Sequence, residues 1–286
     1  MAKACWLGAL FGVLMLLSGG VQADEEALPR VASASLCADQ YILALADPAQ
    51  VTSLSKHATG PLSAQAEKAQ RFTTNRGALE EFLAMETDLV ILDTHDAPQL
   101  RRVLPEFGIQ VYELPQLNRF EDIFSQIKTV GGLLGQGVRA AKLTAELAAR
   151  LDALQTSASA PKPIISYFRP DGGGAGSGTF VNEVLQAAGY ENLQVTLGYD
   201  GWQGIPMEEL IMTPPPGGIT SFFDTSPESA RSRFSSHPFY RKLSREEALF
   251  AVAGKYWPCS GPMLIDAVDT LVQARQAGFP HKKDVQ

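Results

Sequence analysis

The chain is poor in the features that mark the commoner functional classes. Lys and Arg total 24 against 31 Asp and Glu, a net charge of −7, so no basic face is offered to a nucleic-acid backbone. No apolar run reaches the ~20 residues that a membrane-spanning helix needs. Only four histidines and three cysteines occur, with no HxH or HExxH spacing to announce a metal site. A Gly-x-Ser-x-Gly elbow is missing. The one glycine-rich stretch, Gly172 to Gly178, runs into Ser177-Gly178-Thr179 without the lysine of a phosphate loop. It has no clean dinucleotide spacing either. What remains is globular composition: 286 residues, 45% hydrophobic and 19% charged. That excludes a disordered or collagen-like chain and is enough for one large domain or two lobes.

The N-terminus carries the first positive information. Lys3 is the only charge before Asp24, Trp6 to Leu17 is an unbroken apolar run, and Val21-Gln22-Ala23 sets small residues at −3 and −1. This pattern predicts a secretory signal peptide over residues 1–23, cleaved after Ala23. No Cys follows the apolar run, which argues against a lipid anchor, so the mature chain is expected to be exported and soluble. Losing Lys3 takes the net charge from −7 to −8. Losing Cys5 leaves Cys37 and Cys259. An even pair in an oxidising compartment suggests one disulfide, with two buried thiols as the alternative.

Beyond the leader, short apolar runs alternate with helical spacing. Strands are predicted over 29–35, 51–54, 88–92 and 109–114, with helices at 39–47, 64–69, 79–85 and 98–107. Residues 36–38 read as a strand-to-helix loop. This βαβα alternation predicts a parallel sheet flanked by helices, with ligands beyond the carboxyl ends of its strands. Two helical patterns follow, 120–134 and 138–154, broken at Gly135-Gln136-Gly137. The second suits a strut between lobes. After the linker at 157–163 the pattern restarts, with strands at 164–168, 193–197, 218–223 and 248–252. Helical stretches are read at 180–188, 207–211, 229–234, 239–243 and 262–277, and the Gly172–Gly178 stretch reads as a mobile loop bordering a cleft. The expected fold class is therefore α/β: two similar lobes with mainly parallel sheets, joined by one long helix. The expected boundaries are 29–134 for the N-terminal lobe, 135–156 for the interlobe helix and 161–279 for the C-terminal lobe. A local repeat supports the pairing, since Leu79-Glu80-Glu81-Phe82-Leu83 matches Met207-Glu208-Glu209-Leu210-Ile211.

Several side chains fall at predicted strand exits. Lys56, His57, His95 and Asp96 do so in the first half, and Tyr167, Arg169, Tyr199, Trp202, Tyr256 and Trp257 in the second. Aromatic and Arg groups converging on a cleft suit a large, partly planar, partly polar ligand. A bare Zn or Mn ion held by His57, His95 and Asp96, with His237 from the other half, is an alternative. Cys37, at a loop before a helix, is a weak nucleophile candidate. An exported α/β hydrolase is the remote reading, lacking a nucleophile–base pair. No resident cofactor is implied.

Taken in order, several segments resemble one family. They are Arg30 to Gln40, Gly77 to Val90, Phe107-Gly108-Ile109, Leu134 to Gly137, Ser177 to Gly189, and Trp257-Pro258-Cys259-Ser260-Gly261-Pro262. Together they are similar to the periplasmic substrate-binding proteins of ABC importers for iron-siderophore, haem and cobalamin. The resemblance covers essentially the whole mature chain. It implies a non-enzymatic periplasmic receptor, acting as a monomer, that holds an iron chelate or corrinoid between two lobes with limited hinge motion. The expected ligand residues are Cys37, Asp39, Lys56, His57, His95, Tyr167, Arg169, Trp202 and Trp257. By position Glu80 and Glu208 look like the family's two docking acids, which meet Arg pockets on the inner-membrane permease dimer. Cys37 and Cys259 resemble a subgroup carrying Leu-Cys-x-Asp-Gln together with Trp-x-Cys-x-Gly-Pro, which implies a Cys37–Cys259 disulfide or close pair beside the cleft. Thr213 to Gly218 departs from the family's acidic strand entry and leaves the next strand less certain.

Overall fold

The computed structural model describes residues 27–94, 97–158, 161–221 and 233–280. The expected signal peptide, His95, Asp96 and His281 lie outside them. The first sheet comprises β1 (Val31–Ser33), β2 (Val51–Ser55), β3 (Thr74–Asn75), β4 (Leu89–Asp93) and β5 (Gln110–Leu114), in the order β3-β2-β1-β4-β5. The second comprises β6 (Ile164–Phe168), β7 (Glu191–Asn192), β8 (Gly218–Thr220) and β9 (Leu249–Ala251), in the order β7-β6-β8-β9. Every strand pair is parallel. Parallel neighbours need crossovers, and the connecting helices cover both faces of each sheet.

Around the first sheet run α1 (Leu36–Leu45), α2 (Ala66–Ala69), α3 (Leu79–Ala84), α4 (Pro98–Val103) and α5 (Phe120–Leu133). The single rod α6 (Gly137–Ser157) follows. Around the second run α7 (Phe180–Ala187), α8 (Leu193–Thr196), α9 (Met207–Met212), α10 (Arg233–Ser236), α11 (Pro238–Arg245) and α12 (Leu264–Gln276). Strand alternation sorts the apolar side chains onto two faces. In β1 and β4, Val31, Leu89 and Ile91 pack with α1 and α5, whereas Ala32, Val90 and Leu92 pack with Phe82 of α3 and Leu100 of α4. In β6, Ile165 and Tyr167 face one way and Phe168 the other, where Leu210 of α9 and Phe239 of α11 wait. The first of these faces belongs to the same apolar layer in both lobes: it runs from Ile42 and Ile123 through Ala140 and Leu151 to Val184 and Val268. One inner core thus joins the two sheets, and each lobe keeps a separate outer core.

The rod is bolted at both ends. Gln136, its N-cap, donates to Asp47 and Gln50 at 2.9 and 2.8 Å, and Arg139 binds the Leu45 carbonyl and the Asp47 carboxylate. Further along, Arg150 pairs with Asp266 and Asp269 of α12 at 2.6 Å each. Gly131 of α5 sits where any Cβ would collide with Ala140, so α5 and α6 touch at close range.

Three sequence expectations are corrected. Residues 36–38 are helix, because the Ser35 hydroxyl accepts from the Ala38 N–H and starts α1 a turn early. Within the expected strand 193–197, residues 193–196 are helix too: Asn192 ends a two-residue strand and caps α8 by accepting from the Gln194 N–H at 3.1 Å. The strand expected over 218–223 is described as 218–220, and residues 222–232 lie outside the described set.

Candidate functional site

The carboxyl ends of the first sheet form a polar edge held by buried side chains. Asn75, 2% exposed, donates to the Ser33 carbonyl at 2.8 Å, Ser53 Oγ at 2.9 Å and the Leu54 carbonyl at 3.0 Å. One amide thereby ties β1, β2 and β3 together at their tips, and its Oδ1 accepts from Gly77 N–H at 3.1 Å. Asp39, fully buried in α1, accepts from Ser55 N–H at 2.8 Å and Ser55 Oγ at 2.6 Å, and Ser55 Oγ accepts in turn from His57 N–H. Burial pushes the Asp39 carboxyl up to about 6, against the pull of its Ser55 and Ser33 hydrogen bonds. These supports set Lys56, His57 and Arg76 around a cavity of about 260 Å³, with Ser35, Asn75 and Gln99 also in its wall. Among the described residues no carboxylate pairs with those three cationic or basic side chains.

Further along the edge lies a second cavity of about 250 Å³, and here the other lobe joins in. Thr94, Leu114 and Gln116 come from strand exits β4 and β5, Cys37 and Tyr41 from α1, and Phe180, Cys259 and Ser260 from the second lobe. Cys37 and Cys259 form a disulfide with Cα atoms 5.4 Å apart. Beside it the Tyr41 hydroxyl donates to the Ser260 carbonyl at 3.0 Å, and Leu117 N–H donates to Ser260 Oγ at 3.1 Å. Phe180 opens α7, and its ring meets that of Trp202 edge-on with centroids 5.0 Å apart. Trp202 stays 42% exposed, a free aromatic surface next to the cavity wall.

Trp202 is placed by the glycine-rich stretch, which is zipped rather than loose. Gly176 N–H donates to the Gly201 carbonyl at 2.8 Å, Ser177 N–H to Tyr199 at 3.1 Å, and Gly201 N–H back to Ser177 at 2.9 Å. A Cβ on Gly174, Gly176 or Gly204 would be driven into Gln194, the Tyr199 carbonyl or the Gly172 carbonyl. The glycines are there so that two backbones can lie in contact. This corrects the expectation of a mobile loop.

The predicted ligand residues therefore divide. Lys56 and His57 face one cavity, Cys37 walls the other within its disulfide, and Trp202 stands beside it. Asp39 lies beneath the floor. Tyr167 and Trp257 are buried at 1% and 3% exposure, their rings 5.5 Å apart. Tyr167 is hydrogen-bonded to Ser221 at 2.5 Å, and burial pushes its phenol up to about 12. Arg169 is half-exposed beside Asp171 at 3.8 Å, and His95 is not described. His237 caps α11, its Nδ1 accepting from Phe239 N–H at 3.2 Å. Among the described residues no three His, Cys, Asp or Glu side chains gather to hold a metal. Sequence reasoning passed over Arg76, Asn75 and Phe180. Arg76 follows a strand too short to show as an apolar run, although Asn75-Arg76-Gly77 carries a turn signal.

A parallel-sheet pair with cavities along one carboxyl edge, bridged by the other lobe, agrees with what comparison finds: residues 31–216 match the family described as periplasmic binding protein. The chain belongs to that family. A cobalamin-binding protein of Halobacterium salinarum is 26% identical over 197 residues, 67% of this periplasmic binding protein and 53% of the relative. The chain thus spans about half the length of the curated relatives it matches. Among solved structures, the periplasmic haem-binding protein HutB of Vibrio cholerae superposes with a TM-score of 0.74 at 17% identity, covering 86% of this chain and 98% of that one. The periplasmic haem-binding protein RhuT from Roseiflexus sp. RS-1, in apo form, gives 0.71 at 20%, covering 87% and 99%. At these identities the two structures establish the fold.

The internal repeat has a structural counterpart. Helices α3 and α9 occupy matching places on the outer faces and bury Phe82 and Leu210 at the same helical position. The second glutamate of each is engaged: Glu81 accepts from Arg76 and Ala78 N–H, and Glu209 accepts from the Tyr199 hydroxyl. The first, Glu80 or Glu208, is exposed to solvent.

Proposed function

We propose that this periplasmic binding protein captures a bulky, anionic iron chelate, a ferric siderophore or haem, in its interlobe cleft and delivers it to an ABC importer. The observation that carries this reading is the cluster Lys56, His57 and Arg76 at the strand exits, which has no carboxylate partner among the described residues, together with the Phe180–Trp202 aromatic pair at the neighbouring cavity. Carboxylates or catecholate oxygens meet Lys and Arg through charge-assisted hydrogen bonds. The aromatic surface covers a planar or ring-rich body. Export to the periplasm, and docking of Glu80 and Glu208 on a permease dimer, belong to the same proposal. So does the absence of catalysis. A corrinoid is the second reading, favoured by the Halobacterium relative.

Intrinsic fluorescence titration with haem, a ferric siderophore panel and cyanocobalamin tests this, because Trp202 and Trp257 are the described tryptophans. Quenching by haem or a siderophore, weakened about tenfold by Lys56→Ala or Arg76→Ala, supports the anionic chelate. Quenching by cyanocobalamin alone, indifferent to those replacements, moves the assignment to the corrinoid. Folded protein that responds to none of them sinks the receptor reading.

A further inference from the structure

The two lobes are fastened along one side of the cleft. On that side the inner core is continuous from α1 and α5 through α6 to α7 and α12, and α6 is bolted to both lobes. The interlobe hydrogen bonds from Tyr41 and Leu117 gather there, both ending on Ser260. The residue before it, Cys259, is bonded to Cys37 in the first turn of α1. Four of these residues, Cys37, Tyr41, Cys259 and Ser260, wall the 250 Å³ cavity. The 260 Å³ cavity with Lys56, His57 and Arg76 lies towards α4 and is walled by first-lobe residues alone.

We propose that the Cys37–Cys259 bond is a hinge pin: it holds the inner wall of the cleft closed, so that the lobes part on the α3 and α4 side and ligand enters and leaves beside Lys56, His57 and Arg76. The geometry follows from two covalent links. The chain passes between lobes through α6, and the disulfide, joining cysteines 222 residues apart in sequence, closes a ring that takes in strands of both sheets. A rotation about a line through the bond leaves the Cys37–Cys259 distance unchanged and opens the far side. A rotation that opens the near side must stretch it, and a disulfide holds its Cα atoms within about 7 Å. Hinge closure around a ligand needs such a fixed axis. Besides the disulfide, the loop from Trp257 to Gly261 is tied to the first lobe by the Tyr41 and Leu117 hydrogen bonds to Ser260, and the covalent bond is the strongest of these links.

The part of this that concerns ligand exit rests on the receptor reading; the mechanical part does not. The test compares oxidised protein with Cys37→Ala/Cys259→Ala and with wild-type reduced by a phosphine, each confirmed folded by circular dichroism. Amide hydrogen exchange is first read without ligand. Breaking the bond is expected to raise exchange about tenfold in peptides covering 36–41, 115–119 and 257–262 while leaving 55–57 and 75–77 as they were. Haem dissociation, followed by transfer to excess apomyoglobin, is expected to quicken severalfold in the same samples. Unchanged exchange at the inner segments overturns the pin. Outright unfolding on loss of the bond also overturns it, by making the disulfide a general staple. If haem does not bind at all, the exchange data still decide the pin, and the failure belongs to the functional reading.

Discussion

In the first lobe the strand exits are held by buried side chains, and the second adds to such clamps, Asn192 on the Ala175 carbonyl and Gln194 on the Tyr167 carbonyl, a seam of backbone against backbone. Asn75 and Asp39 pin the tips of β1, β2 and β3 from below, beneath the cavity that Lys56, His57 and Arg76 line. The second lobe presses Gly174, Gly176 and Gly204 into neighbouring segments, and the seam carries Trp202 to Phe180. Similar sheets thus present charge on one side and aromatic surface on the other. The two kinds of support fail differently: a buried polar clamp is sensitive to protonation, whereas a glycine seam is sensitive to a single methyl group.

The largest effect is expected at the seam. Gly176→Ala must push the Tyr199 carbonyl away, and a forced backbone shift of this kind costs about 3 kcal/mol or more. Urea unfolding measures the loss, and a changed Trp202 emission reports the displaced ring. Gly132→Ala in α5, which meets nothing within 4 Å, is the matched substitution and should be neutral or mildly stabilising.

Next comes the clamp. The folded Asp39 carboxyl titrates near 6 rather than 3.8, so the native state keeps a proton that the unfolded chain has already released. Stability from this group is therefore greatest below about pH 4 and falls as pH rises through 6, by roughly 3 kcal/mol at about 1.4 kcal/mol per unit. Asp39→Asn removes that slope. The check is the difference between wild-type and variant unfolding free energies at pH 4.5 and pH 7; an identical pH dependence in both would dismiss the buried carboxylate as its source.

The smallest effect is expected at the bolts on α6. Arg150 and its two aspartates are partly exposed, so Arg150→Ala should cost no more than about 1 kcal/mol, and added salt should shrink even that. Thermal melts at low and high ionic strength decide it.

The sequence made the long elements readable because their burial is one-sided and periodic. Strand β6 and helix α7 stand within a residue of expectation for this reason. Two-residue strands such as β3 and β7 leave no run to detect. At 193–197, Val195 and Thr196 suggest a strand locally, and the Asn192 cap overrules them. Lys56 and His57 were legible as strand-exit residues, and Arg76 was hidden behind the brevity of β3. Tyr167 and Trp257 illustrate the opposite problem: an aromatic near a strand exit turns inward or outward according to sheet alternation, which composition does not reveal.

The uninterrupted inner core has a consequence for how this chain comes apart. A chain cut after α6 would strip α7 and α12 of the rod they pack against on one fragment and leave Leu147 and Leu151 of that rod without their cover on the other. Neither piece is then a self-sufficient unit, despite each owning a complete sheet. Scanning calorimetry of the intact protein should accordingly record a single cooperative melt, and the duplicated plan survives only as halves that need each other.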